Sequence, residues 1–304
     1  MRFAALMVLL APGAALAEES KLERALSRIS EEAEVFAMMA PKALGKEVLV
    51  QKAAVPGSRF RPRVGAAATQ PPPLRIRERE IVSEYGFSHF QEAPEALHEF
   101  RQVVSVDGRQ VAQLEKARAT LTAGLLSDDD RLKKQMLRDF ERHGLVGAAS
   151  DFGQLILLFT KRRIGNFAFR PEGNVRIGAD RAWVLIFSQF EGGESLTIFE
   201  GNRAVRKRLE GKIWLREPDL LPIRIMVESE RQEKNATVRD TGTVDYEMSP
   251  HGALLPVSVI HRQHAGGQLM VENRFRYSDF RRFAAEAEIK FDVEPEAPPA
   301  PEKE

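Results

Sequence analysis

The sequence contains no cysteine, which excludes disulfide bonds and a lipid-attachment cysteine. It also lacks an excess of either charge, with 45 Lys and Arg against 44 Asp and Glu and a formal net charge of +1. This balance argues against nucleic acid as the main partner, because phosphate binding requires a basic excess on some face. No apolar run is long enough to cross a bilayer. The fold must therefore be stabilised by its core alone.

The first residues have the composition of an export signal. Residues 1–17 contain one positive charge at Arg2, a short apolar run and the small-residue ending Ala15-Leu16-Ala17. We predict a signal peptide over 1–17 that is cleaved after Ala17. The protein is then periplasmic or secreted, with no transmembrane segment.

The mature chain is predicted to begin with an amphipathic helix. Ser20 and Glu23 form a capping box that indicates where this helix starts. Apolar residues then recur at helical spacing as far as Ala40, and Pro41 marks the end. We expect this helix to pack on the core of its own domain.

Further helices are predicted in the middle of the chain. The stretch 127–144 opens with a Ser127 cap and the three aspartates of 128–130, which the helix dipole favours in a first turn. A shorter helix is predicted over 111–125. The dense apolar run 152–159 predicts a buried helix, with a buried strand as the alternative.

Most of the remaining sequence alternates between apolar and polar residues, which is typical of half-buried strands. The clearest hairpin lies in 209–231, where Ile213 and Leu215 alternate with charged neighbours and Pro218 lies in the connection. Similar short segments follow one another from 79 to 111 and from 164 to 293. They predict a meandering antiparallel sheet that is wide enough to curl.

These patterns predict an α+β protein. It consists of a curled antiparallel sheet with helices packed on its concave side. One domain spans 18–292, and within it the Pro-, Gly- and Ala-rich segment 56–73 is predicted to be a flexible loop. Residues 293–304 are acidic and Pro-rich, and we predict a disordered tail.

Signatures of catalysis or metal binding are missing from the sequence. It contains no nucleophile elbow, phosphate-binding loop, dinucleotide fingerprint or zinc-protease motif. The aspartates of 128–130 are explained by the helix start, and His261 and His264 point to opposite faces of a strand. The triplet 151–153 matches a kinase metal-binding motif by its letters only. We predict no catalytic residue, no metal ligand and no cofactor.

Two family resemblances are carried by specific segments. The hairpin 211–228, GKIWLREPDLLPIRIMVE, resembles that of outer-membrane lipoprotein carrier and sorting proteins. This resemblance implies an incomplete β-barrel, closed by helices, around an apolar cavity. Residues 79–292 also resemble a family of uncharacterised exported bacterial proteins common in soil acidobacteria, through the segments EIVSEYGFSHF, FRQVVSVDGRQV and YSDFRRFAAEAEIKF. That family implies no activity.

The apolar and aromatic residues of the strand-rich half form either a sheet core or the wall of a cavity. A concave side too wide to fill itself would accept an acyl chain. The predicted ligand-binding residues are Trp183, Phe187, Ile213, Trp214, Leu215, Ile223 and Ile225. We predict an exported, non-enzymatic protein that binds a hydrophobic ligand, such as a lipid or an acylated protein. The alternative is an envelope interaction or scaffold protein without a cavity, acting through the basic run 203–212 or the tail.

Overall fold

A computed structural model describes residues 12–55, 74–146, 151–190, 197–200, 203–206, 209–233 and 236–282. Three predicted segments lie outside the described residues: the flexible loop 56–73, the strand near 287–293 and the tail 293–304. Most of the predicted signal peptide does so as well. Within the described part of the chain, no helix combines the length and the apolar character needed to span a bilayer.

The described residues form three helices and thirteen strands. The helices are α1 (Pro12–Met39), α2 (Leu114–Leu126) and α3 (Asp130–His143). The first six strands are β1 (Ala43–Val55), β2 (Arg75–Phe90), β3 (Ala93–Val106), β4 (Arg109–Gln110), β5 (Phe167–Ile177) and β6 (Asp180–Gln189). The others are β7 (Thr197–Glu200), β8 (Arg203–Arg206), β9 (Glu210–Arg216), β10 (Leu221–Glu233), β11 (Ala236–Met248), β12 (Leu254–Ala265) and β13 (Gln268–Arg282).

Eleven of the described strands form one antiparallel sheet in the order β4-β3-β2-β1-β13-β12-β11-β10-β9-β6-β5. Strands β7 and β8 pair only with each other. The sheet is not closed, because β4 and β5 are its two edges and do not pair. Pairing of β1 with β13 places the first described strand beside the last, with Ala43 opposite Arg282. The predicted fold class, a curled antiparallel sheet with helices, is confirmed.

The two faces of the sheet carry different cores. We call the face with the larger core the inner face; on β2 it presents Ile81, Tyr85 and Phe87. Helix α1 and the 3-10 turn Leu155–Phe159 pack on this face. Helix α2 packs on the opposite, outer face, where Leu125 contacts Gly86 of β2.

Helix α3 joins the two cores. Its Met136 belongs to the smaller core with α2, and its Phe140 belongs to the larger one. Helices therefore cover parts of both faces, and not only the inner one. The sequence pattern could not show this, because a stripe of apolar residues does not specify which face of a sheet it meets.

Helix α1 is part of the core, as predicted. Ala25, Ile29 and Phe36 are all 0% exposed, and Pro41 lies in the 3-10 turn that follows the helix. The predicted start at Ser20 is wrong, because the helix already begins at Pro12. The alanines that precede Ser20 have the highest helix propensity and extend the helix towards the N-terminus.

Helix α3 begins and ends as the sequence indicates, with one change of cap. The side chain of Asp129 accepts from the Arg131 N–H at 2.9 Å, so Asp129 and not Ser127 is the N-cap. Gly144 is the C-cap. The buried face contains Lys133, whose Nζ donates to the His89 carbonyl oxygen at 2.7 Å. That bond compensates for burying the lysine.

Two predictions for single segments need correction. The run 152–159 is buried, but Leu155–Phe159 forms a 3-10 turn and neither an α-helix nor a strand. The run 183–187 is apolar at every position, which predicts a central strand covered on both faces, but β6 is the second strand from the β5 edge. Its Trp183 and Val184 are nevertheless 4% and 1% exposed, so both of its faces are covered.

Candidate functional site

The inner face carries a continuous row of apolar side chains, one from each of eight neighbouring strands. Each member is the register partner of the next, and each is at most 1% exposed. We call this row the apolar girdle. Its members, from β6 to β2, are Leu185, Ile213, Ile225, Val244, Val259, Phe275, Leu49 and Ile81. Cross-strand partners on one face are close enough to contact, so the girdle is a single apolar surface.

The structure brings six of the seven predicted ligand-binding residues to this surface. Five of them are buried on the inner face in the larger core: Trp183, Phe187, Ile213, Leu215 and Ile225. Ile223 is half-buried and packs against the same core. Trp214 lies on the outer face, because it alternates with Ile213 and Leu215. The Arg224 guanidinium lies 6.0 Å from its ring.

Helix α1 and the turn Leu155–Phe159 cover the girdle and its neighbours. Phe159 lies with its ring centroid 5.0 Å from that of Phe187. Ser30 of α1 donates to the Phe159 carbonyl oxygen at 2.8 Å, which joins the two covering segments. At the other end of the helix, the Lys21 ammonium lies 4.3 Å above the Trp183 ring. The five buried residues of the predicted set are thus in contact with protein and not with open space.

A partly open pocket of about 220 Å³ lies at the end of β2 and β3. Helix α1 forms one side of it, and the residues that follow the 3-10 turn form the other. The lining residues are Glu34, Ala37, His89, Glu95, Leu97, Leu157, Thr160, Arg162 and Arg163. Leu97 belongs to the same core as the girdle, and Leu157 packs against that core. The floor of the pocket is therefore continuous with the apolar surface, although none of the seven predicted residues lines it.

The rim of the pocket is polar. The Glu34 carboxylate accepts from the Lys161 N–H at 2.9 Å. His89 Nδ1 lies 3.2 Å from the Ala96 carbonyl oxygen. Burial lowers the pKa of His89 below its ordinary value of 6.5, so the imidazole is neutral at neutral pH. An apolar floor with a polar rim suits a ligand that has an apolar chain and a polar end.

Near the pocket, one guanidinium is buried between two carboxylates. Arg101 Nε lies 2.8 Å from Glu47 Oε2, and Arg101 Nη2 lies 2.5 Å from Glu99 Oε2. Burial raises the pKa of Glu99 to about 8, although Arg101 opposes this and Asp151 adds to it. Burial also raises the pKa of Glu47, against the effect of Arg101. Sequence reasoning missed this cluster, because the alternation in β3 assigns the apolar Phe100 to the core face and its charged neighbours to solvent.

The segment 151–156 lies over the buried cluster and is fixed by several hydrogen bonds. Asp151 accepts from the Glu99 N–H at 3.3 Å, and Tyr246 donates to the Gly153 carbonyl oxygen at 3.1 Å. A Cβ on Gly153 would lie 2.8 Å from Glu99 Oε1 and 2.9 Å from the Tyr85 hydroxyl, so the close approach requires glycine. Those two oxygens have no hydrogen-bond partner in the described protein. The segment 151–156 therefore separates the buried cluster of Glu47, Glu99 and Arg101 from solvent.

The other sequence motifs have structural roles. Asp130 accepts from the backbone N–H groups of Gln91 and Glu92 at 2.9 and 3.1 Å, so it joins α3 to the β2–β3 turn. His261 stacks on Phe152, with ring centroids 4.8 Å apart. Among the described residues, no group of three or more His, Cys, Asp or Glu side chains is arranged to hold a metal ion.

The basic run 203–212 is divided between two places in the fold. Its first part contributes β8, which pairs with β7. A basic run of this kind is typical of a solvated strand edge, but Lys212 lies in β9, between β6 and β10, and not at an edge of the sheet. Its ammonium lies 2.6 Å from Glu172 Oε1 on β5, and it is therefore neutralised within the protein.

Comparison with known proteins gives structural neighbours only. No family model and no curated protein matches the sequence. A domain from Vibrio parahaemolyticus, described as an outer-membrane lipoprotein-sorting protein, covers 89% of this chain and 97% of its own, at 12% identity and a TM-score of 0.37. A DUF1329 family protein from Desulfovibrio piger covers 86% of this chain and 93% of its own, at 10% identity and a TM-score of 0.33. A LolA superfamily protein from Nitrosomonas europaea covers 85% of this chain and 94% of its own, at 12% identity and a TM-score of 0.30.

Two of these neighbours carry the names of the carrier and sorting proteins that the hairpin 211–228 resembles. Identities and TM-scores this low transfer no function to this chain. The resemblance to the acidobacterial family stays a prediction.

Proposed function

We propose that the protein binds a hydrophobic ligand, a lipid or an acylated protein, on the inner face of its sheet without catalysing a reaction. The observation that carries this proposal is the apolar girdle, in which eight neighbouring strands each contribute one apolar side chain. An acyl chain along this surface gains about 0.8 kcal/mol for each methylene removed from water. A long chain therefore reaches micromolar affinity even after the costs of association.

The pocket beside Leu97 and Leu157 supplies the entrance. Its floor is apolar and continuous with the core that contains the girdle. Its volume of about 220 Å³ is below the roughly 300–1,000 Å³ of a typical ligand site. It can hold the end of a ligand, and the rest of an acyl chain enters only when α1 separates from the sheet.

Helix α1 has the properties of a separable cover. Two of the buried residues of α1 are alanines, Ala25 and Ala33, which interlock little with the sheet, while Phe36 packs its ring against that of Phe87. At its N-terminal end, Lys21 Nζ lies 2.7 Å from Glu217 Oε1, and the two side chains are 29% and 22% exposed. A solvent-screened ion pair of this kind contributes about 0.2–1 kcal/mol, so opening this end costs little.

The ligand-binding wall in this proposal consists of Trp183, Phe187, Ile213, Leu215, Ile223 and Ile225. Trp214 is left out, because its ring is on the outer face. The proposal also includes export: residues 1–17 act as a signal peptide, cleaved after Ala17, and the mature protein works in the periplasm or outside the cell. There it meets lipids and acylated proteins of the envelope.

The test is a titration of the delipidated protein with palmitate. Tryptophan emission, to which Trp183 and Trp214 both contribute, reports binding, and native mass spectrometry counts the bound molecules. We expect saturable one-to-one binding. Ala37→Phe fills the pocket and should weaken binding at least about tenfold, the equivalent of roughly 1.4 kcal/mol. Met38→Phe is the matched control, because Met38 is the next residue of α1 and is 59% exposed.

Saturable binding that Ala37→Phe weakens and Met38→Phe leaves unchanged supports the proposal. If the folded protein binds neither palmitate nor phospholipid, the proposal is wrong. The second candidate function, an envelope scaffold without a cavity, then takes its place. That candidate is favoured by one observation: the buried wall residues are already covered by α1 and the turn Leu155–Phe159.

A further inference from the structure

Two opposite charges face the same pocket without neutralising each other. Glu95 and Arg162 both line the pocket, and both side chains are exposed. Within the described part of the chain, neither of them makes a hydrogen bond or an ion pair. They lie on different segments, β3 and the stretch after the 3-10 turn, and they do not bond to each other. The pocket therefore presents an unneutralised anion and an unneutralised cation at separate points.

The neighbouring polar groups do not supply the missing partners. One carboxylate oxygen of Glu34 accepts from the Lys161 N–H, and Glu34 keeps its negative charge as a second anion on the rim. His89 is held at Nδ1 by the Ala96 carbonyl oxygen. Below them, Ala37, Leu97 and Leu157 form the apolar floor. A ligand that satisfies this pocket must carry a cation and an anion that are separated from each other, next to an apolar part.

We propose that this pocket binds the zwitterionic headgroup of a phospholipid, with the phosphate at Arg162 and the ammonium at Glu95. A guanidinium is suited to phosphate, since its planar N–H groups match two phosphate oxygens at once. The short linker between phosphate and ammonium separates the two charges of the headgroup, as Arg162 and Glu95 are separated in the pocket. The acyl chains then leave across Leu97 and Leu157 towards the girdle. This inference rests on the proposed function, and it names the class of ligand.

Exposure of the two side chains limits the size of the effect. Exposed charge pairs contribute about 0.2–1 kcal/mol, which corresponds to a change in Kd of roughly 1.4- to fivefold for each contact. Salt screens such pairs, so the preference should shrink as the ionic strength rises. Headgroup selectivity is expected to be modest, and most of the affinity comes from the chains.

The experiment measures the Kd of the intact protein for phosphatidylethanolamine, phosphatidylglycerol and palmitate by calorimetry. The two phospholipids carry identical short acyl chains and stay below their micellar limit. Glu95→Gln and Arg162→Gln remove one charge each. Glu247→Gln and Arg176→Gln are matched controls, because these side chains are exposed and away from the pocket. Glycerophosphoethanolamine, which has no acyl chain, tests the headgroup alone.

We expect phosphatidylethanolamine to bind roughly 1.4- to fivefold tighter than phosphatidylglycerol. Glu95→Gln should abolish that difference, and Arg162→Gln should weaken both phospholipids while leaving their ratio unchanged. The two controls should change nothing. Competition by glycerophosphoethanolamine at high concentration adds support and shows that the headgroup binds by itself.

Equal binding of all three ligands, unaffected by Glu95→Gln, would overturn the headgroup site and leave the proposed function intact. A reversed preference, with phosphatidylglycerol bound more tightly, would overturn it too. Failure of every lipid to bind the folded protein would overturn both the headgroup site and the proposed function.

Discussion

At the scale of single residues, the buried cluster of Glu47, Glu99 and Arg101 is the least expected feature of the chain. One guanidinium faces two carboxylates, and all three side chains are at most 1% exposed. A buried carboxylate that is not fully compensated is favoured in its protonated form. This explains why the pKa of Glu99 is raised to about 8. It also makes the stability of the fold depend on pH in a defined direction.

We expect the free energy of unfolding to fall as the pH rises from 4.5 to about 8. Over that range the folded protein keeps a proton on Glu99 that the unfolded chain has lost. The contribution is fully present below pH 4.5 and is lost as the pH approaches 8, with a slope of up to about 1.4 kcal/mol per pH unit. Urea unfolding at a series of pH values measures it.

Glu99→Gln keeps the shape of the side chain and removes its titration. The variant should lose a large part of this slope, and Glu47 should maintain the remainder because its pKa is also raised. Glu247→Gln, at an exposed position, should keep the slope of the parent protein. Identical slopes in the parent and in Glu99→Gln would show that Glu99 is ionised throughout.

At the scale of elements, helix α1 and the turn Leu155–Phe159 cover the inner face, and the pocket lies between them. Each segment inserts an aromatic ring: the ring centroid of Phe36 of α1 lies 5.4 Å from that of Phe87, and that of Phe159 lies 5.0 Å from that of Phe187. We expect the helix to be the more separable of the two at Lys21, where a solvent-screened ion pair holds it. Its mobility should control how easily a ligand reaches the wall.

Lys21→Ala tests this role. Removing the ion pair to Glu217 lowers the free energy needed to separate the helix from the sheet. The open state that can bind a ligand then becomes more populated, and palmitate should bind more tightly. The expected gain is roughly 1.4- to fivefold in Kd. Fluorescence titration measures it. Arg24→Ala on the same helix is the control, because among the described residues Arg24 bonds only to the carbonyl oxygen of Ser20. Unchanged or weaker binding in Lys21→Ala would mean that α1 does not open.

At the scale of the whole molecule, the girdle joins distant parts of the chain into one unit. Phe275 of β13 is the register partner of both Leu49 of β1 and Val259 of β12. The first and last described strands of the chain are thus packed on the same apolar row. Loss of one member should weaken the fold as a whole, because small domains unfold cooperatively.

Phe275→Ala should therefore lower the free energy of unfolding by about 3–5 kcal/mol, since a buried phenyl ring leaves a cavity. Phe190→Ala makes the same chemical change at a side chain that is 53% exposed, and it should cost less than about 0.5 kcal/mol. Urea unfolding followed by circular dichroism compares the two. Equal losses in the two variants would show that the girdle does not hold the sheet together.

The candidate site could be predicted only in part. Ile213, Leu215 and Ile225 were found because strand alternation places them on one face. The same alternation puts Trp214 on the other face, and only its aromatic character suggested that it belonged to the wall. The pocket could not be predicted, since Ala37, Leu97 and Leu157 come from three distant segments with no common motif.

The sequence by itself determined the strands and hairpins, the course of α1 after Ser20 and the fold class. These features depend on alternation, helical spacing and turn residues within a few positions of one another. Only the tertiary structure decided that Arg101 lies inside, that α2 packs outside and that α1 covers the girdle. Such outcomes depend on which distant strands pair and in what register, because that pairing determines which side chains meet and which of them water can reach.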